Sequence, residues 1–283
     1  MRVDCAGCAG CCLDWRSLGP VDEHEREGPH RPLDDVYNLV PLSRDDVHDL
    51  LDAGLSDATT PRLWSAAGGS SVRIDGRDVA AIDGKPVFFL GLRKVPKPVA
   101  PFETEPRWLR TCVFLDPATL QCRVHDAEVY PAECAAYPGS NLSLGAETEC
   151  ERVEDAIGGD RLLDDTPPDG ADDLLIGPQA VGQKVFVYPD TDELEGVVDR
   201  AGRRALTEED RARFVAAAAA GAPGSTSVDE RHYEEALERA RAADSWAGRA
   251  IDAWERRADS DDPEPSLGRE VEEERGAPET PGW

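Results

Sequence analysis

Cys5-Ala6-Gly7-Cys8-Ala9-Gly10-Cys11-Cys12 places four thiols in eight residues near the start of the chain. Four more follow at Cys112, Cys122, Cys134 and Cys150, and no cysteine lies elsewhere. As thiolates these are soft ligands, and two-residue spacers of Gly and Ala let a backbone wrap one cation so that successive sulfurs converge. The first group therefore reads as a metal knuckle. Its C-x2-C-x2-C run also matches the first three ligands of a bacterial ferredoxin-type loop, without the fourth, proline-following cysteine.

Two blander readings compete with this one. A disulfide framework needs an oxidising compartment, and Cys5 stands where a signal peptide would carry its charged start and apolar core. Free core thiols are common, but four in eight residues would be an odd filling and an oxidation hazard. Metal binding is the reading carried forward, in a cytoplasmic protein.

The chain has 283 residues, enough for one large domain or two small ones. No apolar run approaches the ~20 residues that span a bilayer, so no membrane partner is expected. Acidic side chains number 58 against 31 basic, a formal net charge of -27. The acid is dispersed, which is tolerable where salt screens self-repulsion and points to a salt-loving, archaeal host. Nucleic acid is disfavoured, because backbone binding needs a basic face. Only Arg93, Lys94 and Lys97 offer one, and the chain's lysines are just Lys85, Lys94, Lys97 and Lys184.

Local signals sketch the elements. Ser43 with Asp46 three residues on predicts a capped helix over 43–53, closed by Gly54. Residues 72–74, 79–82 and 87–92 read as strands joined at Asp75-Gly76 and Asp83-Gly84, an antiparallel meander. Pro96, Pro98, Pro101 and Pro106 are expected to break regular structure. Cys112 and Cys122 should face each other across a hairpin whose return strand is 122–125, and Pro131 should open a helix carrying Cys134. Residues 156–177 read as an acidic linker, followed by a strand at 184–188. A helix capped by Thr207 should run to Ala220, and a second from about Asp229 to Arg257, interrupted at Asp244. Its apolar face should pack on the preceding helix or the cysteine domain, with a dimer seam or another protein partner as the alternative. Residues 258–283, with nine acids, two arginines and four prolines, are expected to be disordered.

The order of cysteines resembles the YkgJ-type cysteine-cluster family, over roughly residues 1–150. There a C-x2-C-x2-C-C group is paired with segments of the form C-P-F-L-D, C-x-I-Y-E and R-P-x-x-C-R-x-Y-P. Here these correspond to Cys112-Val113-Phe114-Leu115-Asp116, Cys122-Arg123-Val124-His125-Asp126 and Pro131-Ala132-Glu133-Cys134-Ala135-Ala136-Tyr137-Pro138. The family is described as a zinc- or iron-chelating, or iron-sulfur, domain, and related clusters accompany flagellin lysine N-methylases. Tyr130 and Ala135 replace its arginines and His125 its aromatic, so a role of those arginines toward substrate or cluster does not carry over.

The expected fold is α+β, a small antiparallel sheet and short helices around a cysteine metal centre, followed by a mainly helical C-terminal region. The expected division is a cysteine domain at 1–155, a linker at 156–177, a strand and two helices at 178–257 and a tail at 258–283. The expected ligands of zinc or iron, or of a [4Fe-4S] cluster, are Cys5, Cys8, Cys11, Cys12, Cys112, Cys122, Cys134 and Cys150. The last is the outlier, and spacers of 9, 11 and 15 residues in the second group favour metal shared between the halves. His125 is more simply structural, and His24 and His30 read as solvated. Three roles stay open: a metal chelator, an iron-sulfur oxidoreductase or methylase-related enzyme, and a zinc-stabilised adaptor. No phosphate loop, dinucleotide loop or hydrolase motif supports the enzyme.

Overall fold

The computed structural model describes residues 9–19, 30–66, 70–139, 141, 147–157, 182–258 and 261–281. Strands β1 (His30–Pro32), β2 (Thr59–Ala66), β3 (Ser71–Ile74), β4 (Arg77–Ile82), β5 (Lys85–Leu92), β6 (Lys94–Val99), β7 (Arg107–Cys112) and β8 (Phe186–Val187) form two antiparallel sheets. Helices α1 (Arg44–Asp52), α2 (Ala132–Ala136), α3 (Glu149–Ile157), α4 (Val197–Gly202), α5 (Glu208–Ala220), α6 (Glu230–Arg241), α7 (Trp246–Arg257) and α8 (Leu267–Val271) pack around them. The molecule is an α+β mixture with helices in its C-terminal region.

The expected meander is present as β3, β4 and β5. Its turns hold Asp75 and Gly76 at φ 51 and 74, and Asp83 and Gly84 at φ 51 and 74. Two successive positive φ angles match the right-handed twist of the flanking strands, which is why Asp-Gly serves there. The centre of the larger sheet is β2, which the sequence reading missed. Its first half pairs with β5, from Thr59↔Leu92 to Leu63↔Phe88, and its end pairs with β1.

Prolines do not break the strands where they were expected to. In β6 the Val113 amide donates to the Arg93 carbonyl at 3.0 Å, so odd-numbered residues make the ladder to β7 and the backbone nitrogens of Pro96 and Pro98 point away from it. A missing N–H is harmless at such positions of an edge strand. Pro61 in β2 obeys the same rule, since the Leu63 carbonyl turns away from β5 to accept from the Leu33 amide.

Both predicted N-caps are complete capping boxes, Ser43 with Asp46 and Thr207 with Asp210. The single helix expected over 229–257 is instead two, α6 and α7, because Ser245 caps a new start by accepting from the Gly248 amide. The anticipated return strand at 122–125 reduces to one bridge, Leu115↔Cys122, before a run of turns.

Helix α5 is the core helix, with Ala212 and the whole of 214–220 buried. Phe214 lies 4.8 Å from the Phe88 ring and 4.9 Å from Tyr188. The larger core cluster runs from the N-terminal segment to Val271 and includes Phe214 of α5 and Trp254 of α7. Most of the linker falls at residues 158–181, outside the described residues. The tail also differs from expectation: α8 is helical, and Val271 and Glu272 are fully buried.

Candidate metal centre

Cys11 and Cys12 sit in a 3-10 turn, Gly10–Cys12, entered through Ala9 at φ 51. The chain then runs antiparallel to β7: Leu13 bridges Thr111, and the Asp14 amide donates to the Arg110 carbonyl at 2.8 Å. That added strand sets the turn beside Cys112, the last residue of β7. Asn38 holds the Cys11 carbonyl at 3.2 Å from the other side. Cys122 follows on the bridge to Leu115, and Cys134 lies in α2, for which Pro131 is the N-cap.

These five thiols share one desolvated neighbourhood. Cys11 and Cys12 stand 3.9 Å apart, sulfur to sulfur. Their contact splits the pair: the hydrogen bond from Cys12 and the charge of Lys94 lower the Cys11 thiol, whereas that bond and burial raise Cys12 well above its ordinary value. The charges of Cys112 and Cys134 raise Cys12 further. Burial raises Cys112, pushes Cys122 up to about 12 and raises Cys134 well above a free thiol, with Cys112 acting on both of the latter. Without a cation, such a cluster stays largely protonated. Among the described residues no group of three or more His, Cys, Asp or Glu could hold a metal ion as placed. Cys5 and Cys8, the first half of the knuckle, lie outside the described residues.

Lys94 borders the cluster. It is 7% exposed, its hydrogen bond runs from Nζ to the Cys11 carbonyl at 3.4 Å, and among the described residues no carboxylate pairs with it. Burial lowers its pKa, while Cys12, Cys112 and Cys11 are the negative groups that act most strongly to restore it. Together with Lys97, which is fully buried, this removes the small basic face expected from the sequence.

A second buried group closes the site from the side of α3. Glu149, 7% exposed, accepts from Trp15 Nε1 at 2.8 Å and from the Tyr37 hydroxyl. Its amide donates to the Tyr137 hydroxyl, which follows Cys134 by one helical turn. Burial raises both tyrosines, so they remain neutral donors and acceptors at neutral pH. The turn of Cys11 and Cys12 is thereby tied to α3, which also carries Cys150, a group that acts on Tyr137. Thr148 and Glu151 form the reciprocal cap of α3, with Thr148 N to Glu151 Oε2 at 2.9 Å and Glu151 N to Thr148 Oγ1 at 3.1 Å. The T-x-x-E pattern was a signal available in the sequence.

His125 borders this arrangement, its amide donating to the Cys122 carbonyl at 3.2 Å, whereas His30, expected to be solvated, is buried at 6% exposure. The His125 ring lies tilted against Tyr130, 4.9 Å between ring centres, and its Nδ1 lies 3.2 Å from Asp126. His30 opens β1, and His24 lies outside the described residues. No helix among the described residues is long and apolar enough to cross a membrane.

The model of a family of unknown function, DUF7531, matches residues 1–283. The chain belongs to DUF7531. No curated protein and no solved structure matches it.

Proposed function

We propose that this protein is a metal-binding protein of the YkgJ type, in which zinc or iron, the latter as an ion or an iron-sulfur cluster, is held by clustered cysteines. The observation that carries the reading is Lys94. A buried ammonium without a carboxylate is expensive, and neutral thiols would leave it uncompensated. Four thiolates on a divalent cation carry a net charge of -2, which Lys94 offsets in part. The donor set fits a soft or borderline metal. Cys11, Cys12, Cys112, Cys122 and Cys134 would supply ligands together with Cys5 and Cys8, and Cys150 is the reserve on α3.

Closed four-coordinate zinc would be a structural clamp joining the N-terminal turn to β7 and α2, whereas an iron-sulfur cluster would supply one-electron chemistry. The dispersed acid and the burial of Lys94, Lys97 and Lys184 support a cytoplasm of high salt as its setting. The helical half contributes α5 to the core, which favours a clamp within one body over an adaptor with a detachable docking half.

The test is metal content and visible absorption of the full chain, purified without oxygen at high salt, beside Cys112→Ser and Cys134→Ser. Stoichiometric zinc or iron in the parent, reduced in both variants, is the expected result. Stoichiometric sulfide with absorbance near ~400 nm would select the cluster. A parent that takes up neither metal, even when supplied with excess Zn2+ or Fe2+ under reducing conditions, sinks the reading.

A further inference from the structure

Outside the thiol site, a set of buried charges lies between the C-terminal segment and the loop from Cys112 to Cys122. Lys97 is fully buried, and its Nζ donates to the Val113 carbonyl at 2.8 Å and the Leu115 carbonyl at 2.7 Å. The same Nζ lies 2.5 Å from Glu272 Oε1. Arg123, next to Cys122, donates from Nε to Glu272 Oε2 at 2.7 Å and places Nη2 3.1 Å from Asp116 Oδ2. Its Nη1 reaches the Pro278 carbonyl at 2.8 Å, and Trp254 Nε1 donates to Glu272 Oε1 at 2.9 Å. Close approach of the Gly268 backbone to the Pro117 ring completes the junction: a Cβ on Gly268 would stand 2.7 Å from Pro117 Cγ.

We propose that residues 261–281 act as a clasp for the thiol site, with Glu272 the positioning residue that fixes Cys112 and Cys122. Two buried cations, Lys97 and Arg123, meet two buried anions, Glu272 and Asp116, with the half-exposed Glu273 at 3.6 Å from Arg123 Nη2, so the buried set is balanced only while the segment is seated. Lys97 grips the carbonyls of Val113 and Leu115, just after Cys112, and Arg123, the residue that follows Cys122, is held by Glu272. Glu272 joins these two grips. It touches no thiol and acts through the backbone that carries them. The bearing on metal rests on the metal-binding reading; the bearing on thiol placement does not.

The test uses the full chain and Glu272→Gln, which keeps shape and removes charge. Metal-free protein is treated with iodoacetamide and alkylation is followed at each cysteine by mass spectrometry, alongside zinc competition with a chelator and the thermal midpoint. Alkylation at Cys112 and Cys122 is expected to rise at least about tenfold relative to Cys150, with zinc held about 10- to 100-fold less tightly, the range for partners that orient ligands. Equal acceleration at every cysteine, in step with a lower midpoint, would make Glu272 a general stabiliser and overturn the clasp, as would unchanged rates at Cys112 and Cys122. If Glu272→Gln does not fold, Glu272→Asp, with the charge on a shorter stem, is judged by the same ratio. A parent that binds neither zinc nor iron defeats the metal reading alone, and the alkylation ratio still decides the clasp.

Discussion

Lys94 shows how much one side chain can carry. In a chain that uses arginine almost everywhere, it is a lysine kept within a nearly closed interior, against thiols instead of a carboxylate. Removing its charge should therefore have opposite effects on the two states of the protein. Lys94→Met is expected to weaken zinc retention by about tenfold, about 1.4 kcal/mol, while leaving the metal-free protein as stable as the parent or more so, because a desolvated charge has gone. Chelator competition and thermal melts of both forms check this, and equal losses in both states would refute it. Glu149 poses the contrary case. Its carboxylate is bonded by Trp15 and Tyr37, so Glu149→Gln should destabilise by about 1–3 kcal/mol through a mismatched buried acceptor, read by denaturant midpoint.

At the scale of elements, helix starts and close contacts decide the packing. Asp57 reaches the start of α7, accepting from the Ser245 amide at 2.9 Å. Gly248 leaves that carboxylate room: an added Cβ would stand 2.1 Å from Asp57 Oδ2. Gly248→Ala should consequently cost about 1–3 kcal/mol as an overpacked contact, although alanine is the better helix former. A gain in thermal midpoint would contradict this account. Glu209 ties α5 to α6, bonding Arg213 at 2.9 Å and Arg241 at 2.8 Å from Nε. Arg241 first, and Arg213 with it, hold the Glu209 carboxyl at about 2, down from 4.5. A depressed carboxyl stabilises above its unfolded value and loses that contribution as pH falls through the folded one, here from about 4.5 toward 2. Its side chain is 40% exposed, so the pairing is held to surface strength, under about 1 kcal/mol. Glu209→Gln should be slightly less stable than the parent at pH 7, with the difference vanishing near pH 2 in urea melts.

Across the whole molecule, the tail and the net charge set stability. Ending the chain at residue 257 would strip Glu272 from Lys97 and Arg123, leaving buried cations whose pairing has been broken. A loss of about 3–5 kcal/mol follows from such a break, and a truncated chain that melts with the parent would refute it. The formal charge of -27 predicts a thermal midpoint that climbs steadily as KCl rises from dilute toward molar concentrations. Many ion pairs among the described residues are exposed arginine pairs such as Arg73 with Asp78, so the salt effect should come from relief of overall repulsion.

Signals that act within a few residues were legible in the sequence. Ser43 and Asp46, Thr207 and Asp210, and the two Asp-Gly turns each satisfy local hydrogen bonds or local φ angles, and the structure places them as read. The α+β character followed from them. What depended on partners far along the chain was not legible. Pro96 and Pro98 look like breakers until the ladder is seen to use the other positions of β6. The acidic tail looks disordered until Glu272 is found between Lys97 and Arg123, and Lys94 looks like surface charge until it is found beside Cys11. Composition describes what a segment would do alone in water, whereas burial and pairing across more than a hundred residues are properties of the folded chain.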